Sequence, residues 1–162
     1  AIKNNPQLKQ GYIYALRLLA ASKKSEAELL ERLARKGYAL EVAQQVTQEL
    51  KTQGILSDQK MIEETIQWSS QTKRYGRRRI FMELKKRGIK PSAVEKALER
   101  YPKDLEREVA TQLAKERWTK LEKVEFKKRR KRLYDFLINR GFDFELSREL
   151  VSKITSSTDE NS

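Results

Sequence analysis

Apolar positions along the chain fall at helical rather than alternating spacing, and the leucine-, lysine- and glutamate-rich stretches between them are interrupted by only three Pro and six Gly. Three stretches repeat one another: LLERLARKGY, IFMELKKRGI and LYDFLINRGF. Each places Leu four residues before Gly, a base just before it and an apolar or aromatic residue just after. The glycines, Gly37, Gly88 and Gly141, recur about every fifty residues, which is longer than a helix pair and gives each unit room for three helices. Eight and four positions before them stand Leu29 and Leu33, Ile80 and Leu84, and Leu133 and Leu137, one helical stripe seen three times. Five, nine and thirteen positions after them stand Val42, Val46 and Leu50, then Ala93, Ala97 and Tyr101, then Leu146, Leu150 and Ile154. A second helix is therefore predicted to pack back across the first. The glycine joins the two, since the residue past a helix C-terminus commonly turns left-handed and Gly does so without steric cost.

Helix-start signals agree. Ser25 with Glu28 forms a capping box, Pro91 suits a first helical turn, and Asp143 can cap the last helix. Lys36, Arg87 and Arg140 sit where a base complements the negative end of a helix dipole. A further helix is predicted before each pair, over 11–24, 58–75 and 103–125. The predicted fold class is all-α, three tandem three-helix repeats over 11–57, 58–102 and 103–154, with 155–162 a polar frayed tail. Nothing in the pattern suggests a parallel sheet or a Gly-rich phosphate loop.

Composition narrows the chemistry. The 162 residues include no His and no Cys, which excludes Ser–His–Asp and Cys–His nucleophile systems, His or Cys zinc sites, iron–sulfur clusters and disulfides. No apolar run approaches the roughly 20 residues that span a bilayer. Residues 1–11 lack the apolar stretch of a signal peptide, so a cytosolic protein is expected. With 36% charged and 38% apolar residues, a thin, elongated or repeat-built body fits better than a sphere.

The net charge of +13 is unevenly placed. Residues 73–87 hold Lys73, Arg74, Arg77, Arg78, Arg79, Lys85, Lys86 and Arg87 against Glu83 alone, and residues 127–132 are six consecutive bases. At about 100° per residue, Arg78, Lys85 and Lys86 lie away from the Ile80–Leu84 stripe. Lys127, Lys128 and Lys131 likewise lie away from Leu133 and Leu137. A charged helical face is usually a solvated one, and the mixed pattern of Glu28, Glu31, Arg32 and Arg35 needs no partner. The two acid-poor clusters are different, because self-repulsion disfavours them unless they meet phosphate or an acidic protein groove. Arg87 and Arg140 read as helix-end residues, and Arg129 and Arg130 border the buried stripe, where aliphatic stems serve packing.

Trp68, Trp118 and the tyrosines raise base stacking on single-stranded nucleic acid as a possibility, with core packing the commoner explanation. Tyr38 and Phe142, directly after repeat glycines, read as turn anchors, and Tyr75 is the best exposed ring. Glu63 with Glu64 and Glu106 with Glu108 read as ordinary polar helix surface, so no catalytic, metal or cofactor site is assigned.

Three stretches carry a family resemblance: SEAELLERLARKGY at 25–38, LKTQGILSD at 50–58 running into GRRRIFMELKKRGI at 76–89, and KRLYDFLINRGFDFELSREL at 131–150. As an ordered set they resemble the RecX family of regulators of the RecA recombinase. The chain departs from the family pattern at Ser57 and Asp58, where two acids are common, and at Arg77, where Gly-Pro is common in place of Gly76 and Arg77. The resemblance implies a curved rod of three three-helix repeats that binds the groove or end of the RecA–DNA filament. It implies modulation, in the direction of inhibition, of recombinase, ATPase and coprotease activity, without catalysis and without a cofactor. On that reading the RecA- and DNA-binding faces comprise Arg74, Arg77, Arg78, Arg79, Lys85, Lys86, Lys127, Lys128, Lys131 and Arg132. A monomer that contacts DNA without sequence preference is expected. A sequence-tolerant DNA- or RNA-binding repeat protein is the competing reading and a plain interaction scaffold the third. A helix-turn-helix regulator fits less well, since few Asn or Gln residues are placed to read bases.

Overall fold

A computed structural model describes residues 5–159, and among them are nine helices and no strand. They are α1 (Pro6–Ala21), α2 (Glu26–Lys36), α3 (Leu40–Thr52), α4 (Asp58–Gln71), α5 (Arg77–Lys86), α6 (Pro91–Leu98), α7 (Lys103–Lys120), α8 (Phe126–Asn139) and α9 (Phe144–Asp159). The fold is all-α and repeats a three-helix unit in tandem. No helix among the described residues is long and apolar enough to cross a membrane.

The chain forms two compact units whose division passes through the helices of the middle repeat. One holds the chain up to Glu64 together with Leu84–Val94, the other Thr65–Glu83 and the chain from Glu95 onward. In the first unit, Leu8 and Ala15 of α1, Leu29 and Leu33 of α2, and Val42, Val46 and Leu50 of α3 bury against one another. The capping box at Ser25 is complete: Ser25 N–H donates to Glu28 Oε1 at 2.9 Å and Glu28 N–H to Ser25 Oγ at 3.1 Å. In the second unit, Ala110, Leu113, Ala114 and Trp118 of α7 close on Leu133 and Leu137 of α8, Phe142, and Leu146, Leu150 and Val151 of α9. Leu146 N–H donates to Asp143 Oδ1 at 2.7 Å, the predicted start of α9.

The repeat glycines do what their spacing predicts. Gly37, Gly88 and Gly141 have φ of 105°, 83° and 96°. After each, the next N–H returns to the carbonyl of the buried leucine one turn back: Tyr38 to Leu33 at 3.2 Å, Ile89 to Leu84 at 3.2 Å, and Phe142 to Leu137 at 3.2 Å.

Several helix limits differ from expectation, among them the ends of α1 at Ala21 rather than 24 and of α4 at Gln71 rather than 75. α1 begins at Pro6, not Gly11, because Asn5 Oδ1 accepts from Gln7 N–H. Gly11 lies inside the helix and is buried, and a Cβ there would stand 3.4 Å from Val46 Cγ2. α7 stops at Lys120, and Glu125, expected within it, caps α8 by accepting from the N–H groups of Lys127 and Lys128. α9 continues through 155–159, expected to fray: Thr155 is buried and its hydroxyl donates to Val151 O at 2.8 Å. The remaining tail residues lie outside those described.

One docking register appears twice. Twelve residues before Gly88 stands Gly76, and twelve before Gly37 stands Ser25. Ser25 Oγ donates to Arg87 O at 2.6 Å, and Gly76 N–H donates to Arg140 O at 2.8 Å. The N-termini of α2 and α5 are thus seated on the glycine turns of the repeats that follow them. The fit is tight: a Cβ on Gly76 would lie 2.4 Å from Gly141 C and O, and one on Gly88 would lie 2.6 Å from Ala27 Cβ. A Cβ on Gly37, the first such turn, would meet nothing within 4 Å.

Candidate functional site

Two helices carry the predicted basic faces, and the structure sorts their cations into those consumed by the fold and those left on its surface. Arg77 is consumed. Its backbone N–H donates to Glu106 Oε2 at 2.7 Å, its Nε to Glu106 Oε1 at 3.0 Å, and its Nη2 to Tyr101 O at 2.8 Å. Glu106 is 4% exposed, so its placement as ordinary polar surface is corrected: it is the buried counter-ion that ties α7 to the start of α5. The same pair explains why a residue with an N–H suits position 77, since proline has none to give. Burial pushes the neighbouring Tyr101 hydroxyl up to about 12, with the Glu106 charge adding to the effect. Arg77, expected on the binding face, is thus engaged within the fold.

Arg74 and Arg79 are partly committed. Arg74, with φ of 56°, forks onto Glu116 through Nη1 at 3.1 Å and Nη2 at 3.0 Å. That contact, first of all, holds the exposed Glu116 carboxyl below its ordinary range. Arg79 reaches Glu83 at 3.3 Å and Asn139 O at 3.2 Å, and lies 3.9 Å from the Tyr75 ring centroid. Arg140 flanks the same ring at 4.8 Å. Tyr75 is half-buried beside two guanidinium groups and is not the open stacking surface expected.

Arg87 and Arg140, read as helix-end residues, also clasp a preceding segment. Arg87 Nη2 donates to Lys23 O at 2.8 Å, and Arg87 Nε meets Glu28 Oε1 at 3.1 Å. Burial raises the Glu28 carboxyl, but the Ser25 N–H and Arg87 outweigh it and hold that group below its ordinary range. In the other unit, Arg140 Nη2 donates to Lys73 O. Arg129 is likewise internal: its guanidinium lies 3.7 Å over the Trp118 ring and donates to Trp118 O at 2.6 Å. With its indole N–H on Thr158 Oγ1 at 3.0 Å, Trp118 is a core residue.

What remains on the surface is narrower than the sequence set. On α5, Arg78 is exposed and lies 4.8 Å over the Phe144 ring, while Lys85 and Lys86 are exposed and carry no ion pair among the described residues. On α8, Lys127, Lys128 and Arg132 are exposed without an ion pair among the described residues, and Lys131 is exposed with Asp135 Oδ2 at 2.9 Å. Each face presents cations to solvent with little opposing acid, a surface able to hold phosphate or carboxylate groups by charge and hydrogen bonding. The sequence set omits Arg130 and Arg148, both exposed and without an ion pair among the described residues, which line one cleft with Lys127 and Lys131. Helical projection sets Arg130 beside the buried stripe of α8, and the meeting of α8 with α9 that leaves it on a cleft carries no signal in the sequence. Among the described residues no group of His, Cys, Asp or Glu is arranged to hold a metal ion.

Comparison with known proteins gives one consistent result. Three family models match in order: the first three-helix domain of RecX over residues 12–50, the second over 57–98, and the third over 104–151. The regulatory protein RecX of Trichlorobacter lovleyi is 32% identical over 144 residues, covering 88% of this chain and 94% of the relative. That of Pelodictyon phaeoclathratiforme is 30% identical over 132 residues, covering 82% and 81%. Among solved structures, RecX from Lactobacillus salivarius superposes with a TM-score of 0.82 at 19% identity, covering 92% of this chain and 97% of the other.

Proposed function

The chain belongs to the RecX family of regulatory proteins, and from that membership we propose that it binds the RecA–DNA filament, in its groove or at its end, and restrains recombinase, ATPase and coprotease activity without catalysing a reaction itself. The observation that carries this reading is the set of Lys85 and Lys86 on α5 and Lys127, Lys128 and Arg132 on α8, exposed and without an ion pair among the described residues. Cations left without intramolecular partners gain most from an external anion, whether DNA phosphate or an acidic protein groove. In this reading Arg78 and Lys131 contribute to the same faces. Arg74 and Arg79 contribute only what their contacts with Glu116 and Glu83 leave free. The protein acts as a cytoplasmic monomer, and the three repeats at 11–57, 58–102 and 103–154 are its functional subdivisions.

A steady-state assay tests the reading. Added to RecA on DNA, the chain lowers ATP hydrolysis in proportion to its concentration, and alone it hydrolyses no ATP. Unchanged RecA turnover at saturating chain contradicts the inhibitory reading, and intrinsic turnover contradicts the non-catalytic one.

A further inference from the structure

An open cleft of about 420 Å³ lies between α8 and α9. Lys127, Arg130 and Lys131 line it from α8 and Arg148 from α9, with Tyr134 among them. Only Lys131 has an acid partner, Asp135; Lys127, Arg130 and Arg148 are exposed and carry no ion pair among the described residues. Tyr134 is half-buried, packed on one side against the apolar core of its unit and lining the cleft with the rest.

Four positive groups around one concavity repel one another and favour an anion there. The ring narrows the class of anion. Free phosphate or an acidic peptide satisfies the cations and gives the ring no specific role. Duplex DNA offers phosphates, but its bases are stacked inside and cannot reach a side chain in a cleft. A single strand supplies both partners, a backbone anion and an unstacked π face, and base-on-aromatic stacking tolerates any sequence.

We propose that this cleft is a single-stranded nucleic-acid site, in which one base stacks on Tyr134 while the adjoining phosphates are held by Lys127, Arg130 and Arg148. Lys131 is freed to join them when Asp135 releases it. The site rests on the proposed role of the α8 face in contacting DNA, but not on any contact with RecA.

Fluorescence anisotropy on the full chain tests it with three probes: labelled oligothymidylate, the same length of duplex, and the same length of abasic deoxyribose phosphate. Wild type prefers oligothymidylate to both others. Tyr134→Leu loses about 5- to 150-fold on oligothymidylate, the span of one stacked base, and little on the abasic strand, whereas Tyr134→Phe retains binding. Arg130→Gln with Arg148→Gln reduces the slope of log affinity against log salt by about 1.4, two single-strand phosphate contacts. Arg32→Gln with Arg35→Gln, remote in the sequence and on the mixed-charge helix α2, leaves the slope unchanged. Equal wild-type binding of the abasic strand and oligothymidylate overturns the stacking site. Equal loss in the α2 control reduces the effect to net charge and overturns it as well. Co-sedimentation with RecA filaments, run on the same preparations, keeps the two readings apart: wild type that binds filaments but does not distinguish the probes refutes the cleft alone. Wild type that prefers oligothymidylate but ignores filaments refutes the filament reading alone.

Discussion

Replacing Gly141 by Ala separates the cost of a left-handed turn from the cost of docking a helix against it. Gly37 and Gly141 share the left-handed conformation, at φ of 105° and 96°, so a methyl at either incurs about 1–2 kcal/mol of backbone strain. Their surroundings differ. At Gly37 the new Cβ meets nothing within 4 Å, whereas at Gly141 it would lie 2.4 Å from Arg79 Cβ and 2.6 Å from Arg79 N. Those atoms belong to the first turn of α5, held in place by Arg78 N–H on Gly141 O at 3.1 Å, and cannot swing aside as a side-chain tip can. Overpacking of that kind adds about 1–3 kcal/mol, giving about 2–5 kcal/mol for Gly141→Ala against about 1–2 kcal/mol for Gly37→Ala. At about 2–4 °C per kcal/mol for a chain of this size, thermal melting followed by circular dichroism should fall by about 2–8 °C for Gly37→Ala and about 4–20 °C for Gly141→Ala. Gly88 offers a rescue: its added methyl would lie 2.6 Å from Ala27 Cβ, so Ala27→Gly should recover about 1 kcal/mol in the Gly88→Ala background. Equal losses at Gly37 and Gly141, together with no rescue by Ala27→Gly, would refute the docking register.

Three further perturbations follow from the same contacts. Glu106→Ala leaves Arg77 partly buried without its counter-ion and should cost about 3 kcal/mol in urea unfolding, while Glu108→Ala, on an exposed position of the same helix, should cost little. Because folding holds the Glu28 carboxyl below its ordinary 4.5, the stability it supplies is present above that pH and lost as pH falls through the lower folded value. Glu28→Gln should therefore flatten part of the acid limb of a stability-against-pH curve, and an unchanged limb would show that the Ser25 and Arg87 contacts do not select the ionised form. Reversing Lys127, Lys128 and Lys131 to Glu should leave helical content intact, since all three are exposed, and weaken DNA binding most at low salt. The α2 control, Arg32 and Arg35 to Glu, should do less.

The features legible in the sequence are those set by residues close along the chain. A buried leucine, a base and a glycine fix a left-handed helix stop within one turn, and Ser25 with Glu28 fixes a start, so the three turns and their flanking stripes could be read without knowing the partners. Arginine roles could not. Arg77 and Arg129 stand in basic runs and Arg87 and Arg140 at helix ends, yet each guanidinium bonds a carbonyl on another segment. Helical periodicity reports which way a Cα faces, not which carbonyl the end of a long side chain reaches. One signal was present unread: Ser25 and Gly76, both small and twelve residues before a repeat glycine, mark where one backbone approaches another. Polar spelling likewise concealed the last turns of α9, because the Thr155 hydroxyl finds Val151 O within its own helix.

The most direct test of the central claim is co-sedimentation of the chain with RecA filaments assembled on DNA, beside DNA alone, for wild type and for the variant carrying Arg78, Lys85 and Lys86 reversed to Glu. Wild type should pellet with filaments beyond the amount carried down by DNA alone. The variant, folded by circular dichroism, should stay in the supernatant at low salt. Wild type that pellets equally with bare DNA and with filaments, or a variant that pellets as wild type does, would contradict it.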